Sequence, residues 1–242
     1  LLGSDNFINE LSINIIFTVL IFLASYYLYV LTGDFLQWTA FGIGVYVICN
    51  WIHGLKNRDP VAFLLIFKSK ALLLGLLSFP FITFVTYALG AFGPSFYIRN
   101  FSMTATEVGI IYGLITVFGS MIGVICGGIL GDKLRETYVN GKLYLIMASA
   151  VLTGVTAIGF IHSENLVASF TWKFFYHIAS TAWLGCAAST VTELVLPRLR
   201  AVASAFFILM LSMIGLALGP YLTGMVSDIY INSCLLYTSP SP

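Results

Sequence analysis

From Ala71 to Ile98 no residue carries a charge. The stretch is too long for a single strand and too apolar for a face in contact with water. Six further blocks are built the same way: Ser12 to Leu31, Phe35 to Ile52, Val108 to Gly131, Leu143 to Ile161, Asn165 to Thr192 with Lys173 inside it, and Ala201 to Val226. A helix rising 1.5 Å per residue needs roughly 20 apolar residues to cross a hydrocarbon layer about 30 Å thick. Backbone facing lipid must satisfy its own hydrogen bonds, and barrel strands of about ten residues are too short for these blocks. The pattern therefore predicts an all-α, polytopic membrane protein with seven transmembrane helices. Composition agrees. Hydrophobic residues make up 59 % of the 242 and charged residues 9 %, against roughly a quarter charged in soluble domains.

The charges fall between the blocks and are sorted. Lys56, Arg58, Lys68, Lys70, Lys133, Arg135, Lys142, Arg198 and Arg200 fall in connections on one face, and only Arg99 belongs to the other. The positive-inside rule makes the basic face cytoplasmic, with the plasma or inner membrane as the expected location. The opening segment Leu1 to Glu10 lacks Lys and Arg, which is a mild exception. The long connection His53 to Lys70 has an apolar middle, Pro60 to Phe67, between charged flanks. A short helix lying in the interface is expected there, and the same stretch divides two bundles. The domains read as 1–55, a pair of helices closing one bundle; 56–70, a central cytoplasmic loop; and 71–233, a second bundle. The tail CLLYTSPSP (Cys234 to Pro242) back-translates to a sequencing-library adaptor, so 234–242 is expected to be an artefact. The net charge of +1 points to no acidic partner, and the four cysteines show neither metal spacing nor a disulfide framework.

The densest polar cluster is GGILGDKLRE, Gly127 to Glu136. It ends a ladder of Gly119, Gly123, Gly127 and Gly131, which share one helix face and admit a close neighbour. Gly128, Asp132 and Lys133 then reproduce a Gly-x-x-x-Asp-Lys pattern. It resembles the signature cytoplasmic loop of the major facilitator superfamily, in the weaker form of its second copy, with Arg135 where the family has a second glycine. The long basic loop precedes this motif by two spans, which is the family's spacing. The resemblance implies that the seven blocks are helices five to eleven of twelve. It also implies an incomplete fold, with four helices preceding residue 1 and one following. GPSFYIRNFSMTATEVGIIYG (Gly93 to Gly113) and the segment Thr181 to Asp228, with its LPRLRA turn and IGLALGP run, are similar to spinster-type transporters. That subgroup implies alternating-access transport of a small organic or amphipathic solute, with an anionic lipid-like one among the candidates. It assigns Gly128, Asp132, Lys133, Arg135 and Glu193 to a conformational-switch loop. Asp132 would face a helix N-terminus near Leu11 to Asn14, favoured by the helix dipole. Arg135 or Lys133 would pair with Glu193 or Glu136.

Charges inside spans are costly and often functional. Lys173 and His177, four apart on one face, are candidates for holding an anionic group. Lys173 has an alternative reading as a snorkelling side chain, and His177 as a structural hydrogen-bond partner. Thr83, Tyr87 and Trp183 are further candidates for a substrate cavity. Pro80 is expected to kink its helix, and Gly215 and Gly219 to pack closely. No acid lies deep in a span, so a coupling ion, H+ or Na+, has no visible ligand. No cofactor, metal or nucleic-acid partner is expected, and the complete protein is expected to be monomeric. Two other classes stay open. A seven-helix receptor or retinal-type protein would want a lysine in the last span, which has none. A membrane enzyme would want His, Asp or Glu clustered at one depth.

Overall fold

The computed structural model describes residues 4–238, with the side chains of residues 11–230 except 62 and 65. The tail expected to be an artefact therefore lies outside the described side chains. Among the described residues every regular element is a helix. They form two compact units, 1–70 and 71–242.

The first unit is a helical hairpin with a short third helix. Helix α1 (Ser4–Thr32) and α2 (Phe35–Arg58) are antiparallel because only two residues join them. One is Gly33, with φ of +83°, a left-handed conformation that suits a residue without Cβ. Its N–H donates to the Tyr29 carbonyl at 2.7 Å, closing α1. The Trp38 indole N–H donates to Thr32 Oγ1 at 2.6 Å and pins the turn. Gly42 lies against Ser25, where a Cβ would collide with the hydroxyl. Helix α3 (Pro60–Lys68) follows after one residue and is the short apolar helix expected between charged flanks.

The second unit contains α4 (Lys70–Phe101), apart from its first residue, α5 (Ala105–Thr137), α6 (Gly141–His162), α7 (Leu166–Glu193), α8 (Arg200–Met210) and α9 (Leu218–Thr238). Loops of three residues join α4 to α7 in succession, so each helix runs antiparallel to the one before. Thr104 starts α5 with a capping box. Its backbone N–H donates to Glu107 Oε2 at 2.9 Å, and Glu107 N–H donates to Thr104 Oγ1 at 3.3 Å. Between α8 and α9, residues Leu211–Ala217 wind as a π-helix. The last apolar block is therefore one helix with a widened middle.

Among the described residues six helical stretches are long and apolar enough to cross a membrane: Leu11–Thr32, Phe35–Arg58, Lys70–Phe101, Ala105–Thr137, Gly141–His162 and Pro197–Tyr230. The protein is multi-pass. The remaining expected span is α7. Its 28 residues would reach about 42 Å, but its apolarity is diluted. It is the central helix of the unit, packed lengthwise against both α5 and α6, and its buried positions include Ser169, Lys173, Tyr176, His177 and Ser180. A helix packed against two neighbours can carry polar residues at the positions they cover, while Val167, Trp172, Phe175 and Leu184 remain exposed on its other side.

Candidate functional site

The glycines of α5 set the geometry of this unit. Gly119, Gly123, Gly127 and Gly131 are all buried and face α7. A Cβ on Gly119 would come within 2.8 Å of His177 Cβ, and one on Gly123 would strike Thr181 and the Ile178 carbonyl. On Gly127 it would strike the Ala182 backbone, and on Gly131 Cys186 Sγ. The two backbones meet without interlocking side chains. Weak hydrogen bonds cross the seam: Thr181 Oγ1 to the Ser120 carbonyl at 3.2 Å and Cys186 Sγ to the Gly127 carbonyl at 3.5 Å. Gly128, part of the motif, points elsewhere and has no atom within 4 Å of its would-be Cβ.

At the basic end of this seam the charges gather. Arg135 pairs with Glu193, joining the ends of α5 and α7. Lys142, at the start of α6, is 8 % exposed. Its Nζ donates to Glu193 Oε1 at 2.7 Å and to Ser189 Oγ at 3.0 Å, and lies 3.8 Å from Asp132 Oδ1. One carboxylate thus holds two cations, and three helix ends meet on it. The Asp132 side chain is 78 % exposed. Lys133 and Glu136 are exposed too, and of the pairings expected for this loop, Arg135 with Glu193 is the one the structure forms. Lys142, read from the sequence only as a trailing base, is the most buried member of the cluster. A recess of about 560 Å³ opens beside it, walled by Leu72, Gly75, Phe79, Arg135, Lys142 and Glu193 among others.

The residues expected to line a substrate cavity do not line this recess. Thr83 is turned to its own helix and to the π segment. Its hydroxyl donates to the Pro80 carbonyl at 2.7 Å, and its side chain fills the space that a Cβ on Gly215 would need. Gly219 sits equally close to the Phe84 carbonyl, so α4 meets the π segment and α9 through two glycines. Trp183 is held within the packing of the unit. It is buried, donates from its indole to the Ser180 carbonyl at 2.8 Å, and packs beside Phe79. Tyr87 stands apart from both and is 42 % exposed.

Lys173 neither snorkels nor faces open space. It is fully buried, its Nζ has no hydrogen-bond partner among the described residues, and it sits over the rings of Tyr112, Phe160 and Tyr176 at 4.5, 4.6 and 4.7 Å. His177, one turn further along α7, bonds through Nε2 to Thr116 Oγ1 at 3.0 Å and meets the Tyr112 ring edge-on. The rings around Lys173 were invisible as a set in the sequence, because they come from three helices. Cys186 is buried, Cys126 is exposed, and no disulfide joins the described cysteines. Among the described residues no three of His, Cys, Asp and Glu gather as metal ligands.

An MFS-type efflux pump of Mycolicibacterium smegmatis is 32 % identical over 149 residues, covering 61 % of this chain and 34 % of that protein. Protein spinster of Drosophila melanogaster is 26 % identical over 186 residues, 72 % of this chain and 30 % of that one. A crystal structure of a bacterial homologue of the human lysosomal transporter Spinster, inward-facing and occupied, matches with a TM-score of 0.56 at 26 % identity. These matches make the chain similar to transporters of the major facilitator superfamily. Within it the chain is spinster-like, and it spans 34 % and 30 % of the two relatives and 36 % of the solved structure. No family model matches it. In this spinster-like chain, the superfamily's loop pattern falls on the α5 to α6 connection, where Asp132, Arg135, Lys142 and Glu193 meet.

Proposed function

We propose that this spinster-like chain is part of a secondary transporter that carries a small organic or amphipathic solute across a membrane by alternating access. The observation that carries the reading is the ion cluster at the foot of the glycine seam. Arg135, Lys142 and Glu193 tie three helix ends by contacts that can break without unpacking a core, since at Gly119, Gly123, Gly127 and Gly131 α5 meets α7 without side chains of its own. A breakable clamp at one end of a smooth seam suits a bundle that changes its inclination. The relatives are named as transporters, which supports the same reading. The basic connections are cytoplasmic in this proposal, in a plasma or inner membrane. An anionic, lipid-like solute fits the excess of Lys and Arg over acids on that face, and H+ or Na+ is the coupling ion.

The test is uptake or efflux in vesicles reconstituted with the protein, compared with Glu193→Gln and Asp132→Asn. We expect both variants to reach the membrane in normal amounts and to transport several-fold more slowly. Unchanged kinetics in both would remove the cluster from the mechanism, and no flux of any amphiphilic anion under a proton or sodium gradient would remove the proposed solute class. Sidedness is checked separately. A single cysteine placed at Asn140 should be labelled from the cytoplasmic side only, and one at Ser163 from the opposite side only.

A further inference from the structure

We infer that Tyr112, Phe160 and Tyr176 form an ammonium-binding box inside the bundle, a site for an alkylammonium group whose resident is the protein's own Lys173. The inference concerns the bundle alone and does not depend on the transport reading. The three rings come from α5, α6 and α7, and all stand nearly the same distance, 4.5 to 4.7 Å, from Nζ. Aromatic faces carry negative quadrupole charge, and a cage of them is how proteins hold ammonium groups without an acid. Here no acceptor is within hydrogen-bonding reach of Nζ among the described residues. Of the acids of this unit whose side chains are described, Glu107, Asp132, Glu136, Glu164 and Glu193 lie near helix ends or in a loop, and Asp228 lies within α9.

The box is held in place from outside. Phe160 and Tyr176 meet at 66° with centroids 5.5 Å apart. The Tyr112 hydroxyl donates to the Leu89 carbonyl at 3.4 Å, and Gly93 leaves room for its ring, since a Cβ there would collide with it. The Ser169 hydroxyl donates to the Phe160 carbonyl at 2.9 Å. A lysine placed for bulk alone would need none of this, and a methionine would fill the same volume.

The experiment is thermal unfolding of the full chain in detergent micelles. Lys173→Met should melt about 5 °C or more below the parent, because the rings then lose the cation they face. Lys173→Ala should regain part of its loss when methylammonium chloride replaces sodium chloride at equal ionic strength, while the parent does not respond. A Lys173→Met variant that melts at or above the parent, together with a Lys173→Ala variant indifferent to methylammonium, would overturn the proposal. Should the Lys173→Ala variant not fold, a double-mutant comparison carries the test. Phe160→Leu should cost clearly more in the parent than in the Lys173→Met background, and equal costs would overturn the box.

Discussion

Glu193 is the residue on which most contacts at the basic end converge, and its removal should be felt unequally by its partners. Glu193→Gln leaves the Lys142 ammonium, 8 % exposed, without its carboxylate, whereas Lys142→Met leaves a 38 % exposed carboxylate that water and Arg135 can satisfy. Losing a hydrogen bond to a buried charged group costs about 2 kcal/mol, and an exposed ion pair costs well under 1 kcal/mol. We therefore expect Glu193→Gln to destabilise the chain by about 2 kcal/mol and Lys142→Met by less than half that, measured by denaturant unfolding in micelles. The sequence suggested Arg135 with Glu193 through a family pattern. It did not suggest Lys142, which counts there only as one of the basic residues of the connections. Only the docking of α6 on α7 brings Ser189 and Glu193 within its reach. The hydrogen bond of Thr83 to Pro80 was not legible for a local reason: a hydroxyl in a helix can bond its own backbone three residues back, and spacing does not reveal when it does.

Among the elements, α5 offers the sharpest contrast. Gly127→Ala would push a methyl into the Ala182 backbone, which has no rotamer to change. Overpacking of this kind costs about 3 kcal/mol or more when the wall cannot yield. Gly128→Ala meets nothing within 4 Å and should be neutral or gain up to about 1 kcal/mol from helix propensity. Comparing the two by unfolding and by monodispersity on gel filtration tests whether α5 and α7 touch where described. At the start of the same helix, Thr104→Ala removes the side-chain half of the capping box and should cost about 1 kcal/mol in the same assay. The glycine face was legible because a repeat of four stays on one side of a helix. The π-helical turn at Leu211–Ala217 was not, since nothing in LSMIGLA marks a change of winding, and Gly215 within it could be read only as a close-packing residue.

For the molecule as a whole, the alternation of apolar blocks and basic connections was enough to place α1 to α7 within several residues and the continuous stretch of α8 and α9 as one block, without the widened turn inside it. Buried polarity was harder to place. Lys173 reads from the sequence as an anion holder or a snorkelling side chain, because the sequence cannot show that α7 is packed between α5 and α6. That enclosure has a consequence for biogenesis. A lysine inside a spanning helix raises the free energy of leaving the translocon for lipid, by at most roughly 2.5–3.5 kcal/mol, the figure for a helix centre. In an insertion assay, α7 alone should partition poorly, and a segment running from α5 through α7 should integrate. The two helices that shelter it are also the two synthesised just before it, so the ribosome delivers the shelter first and the charge afterwards.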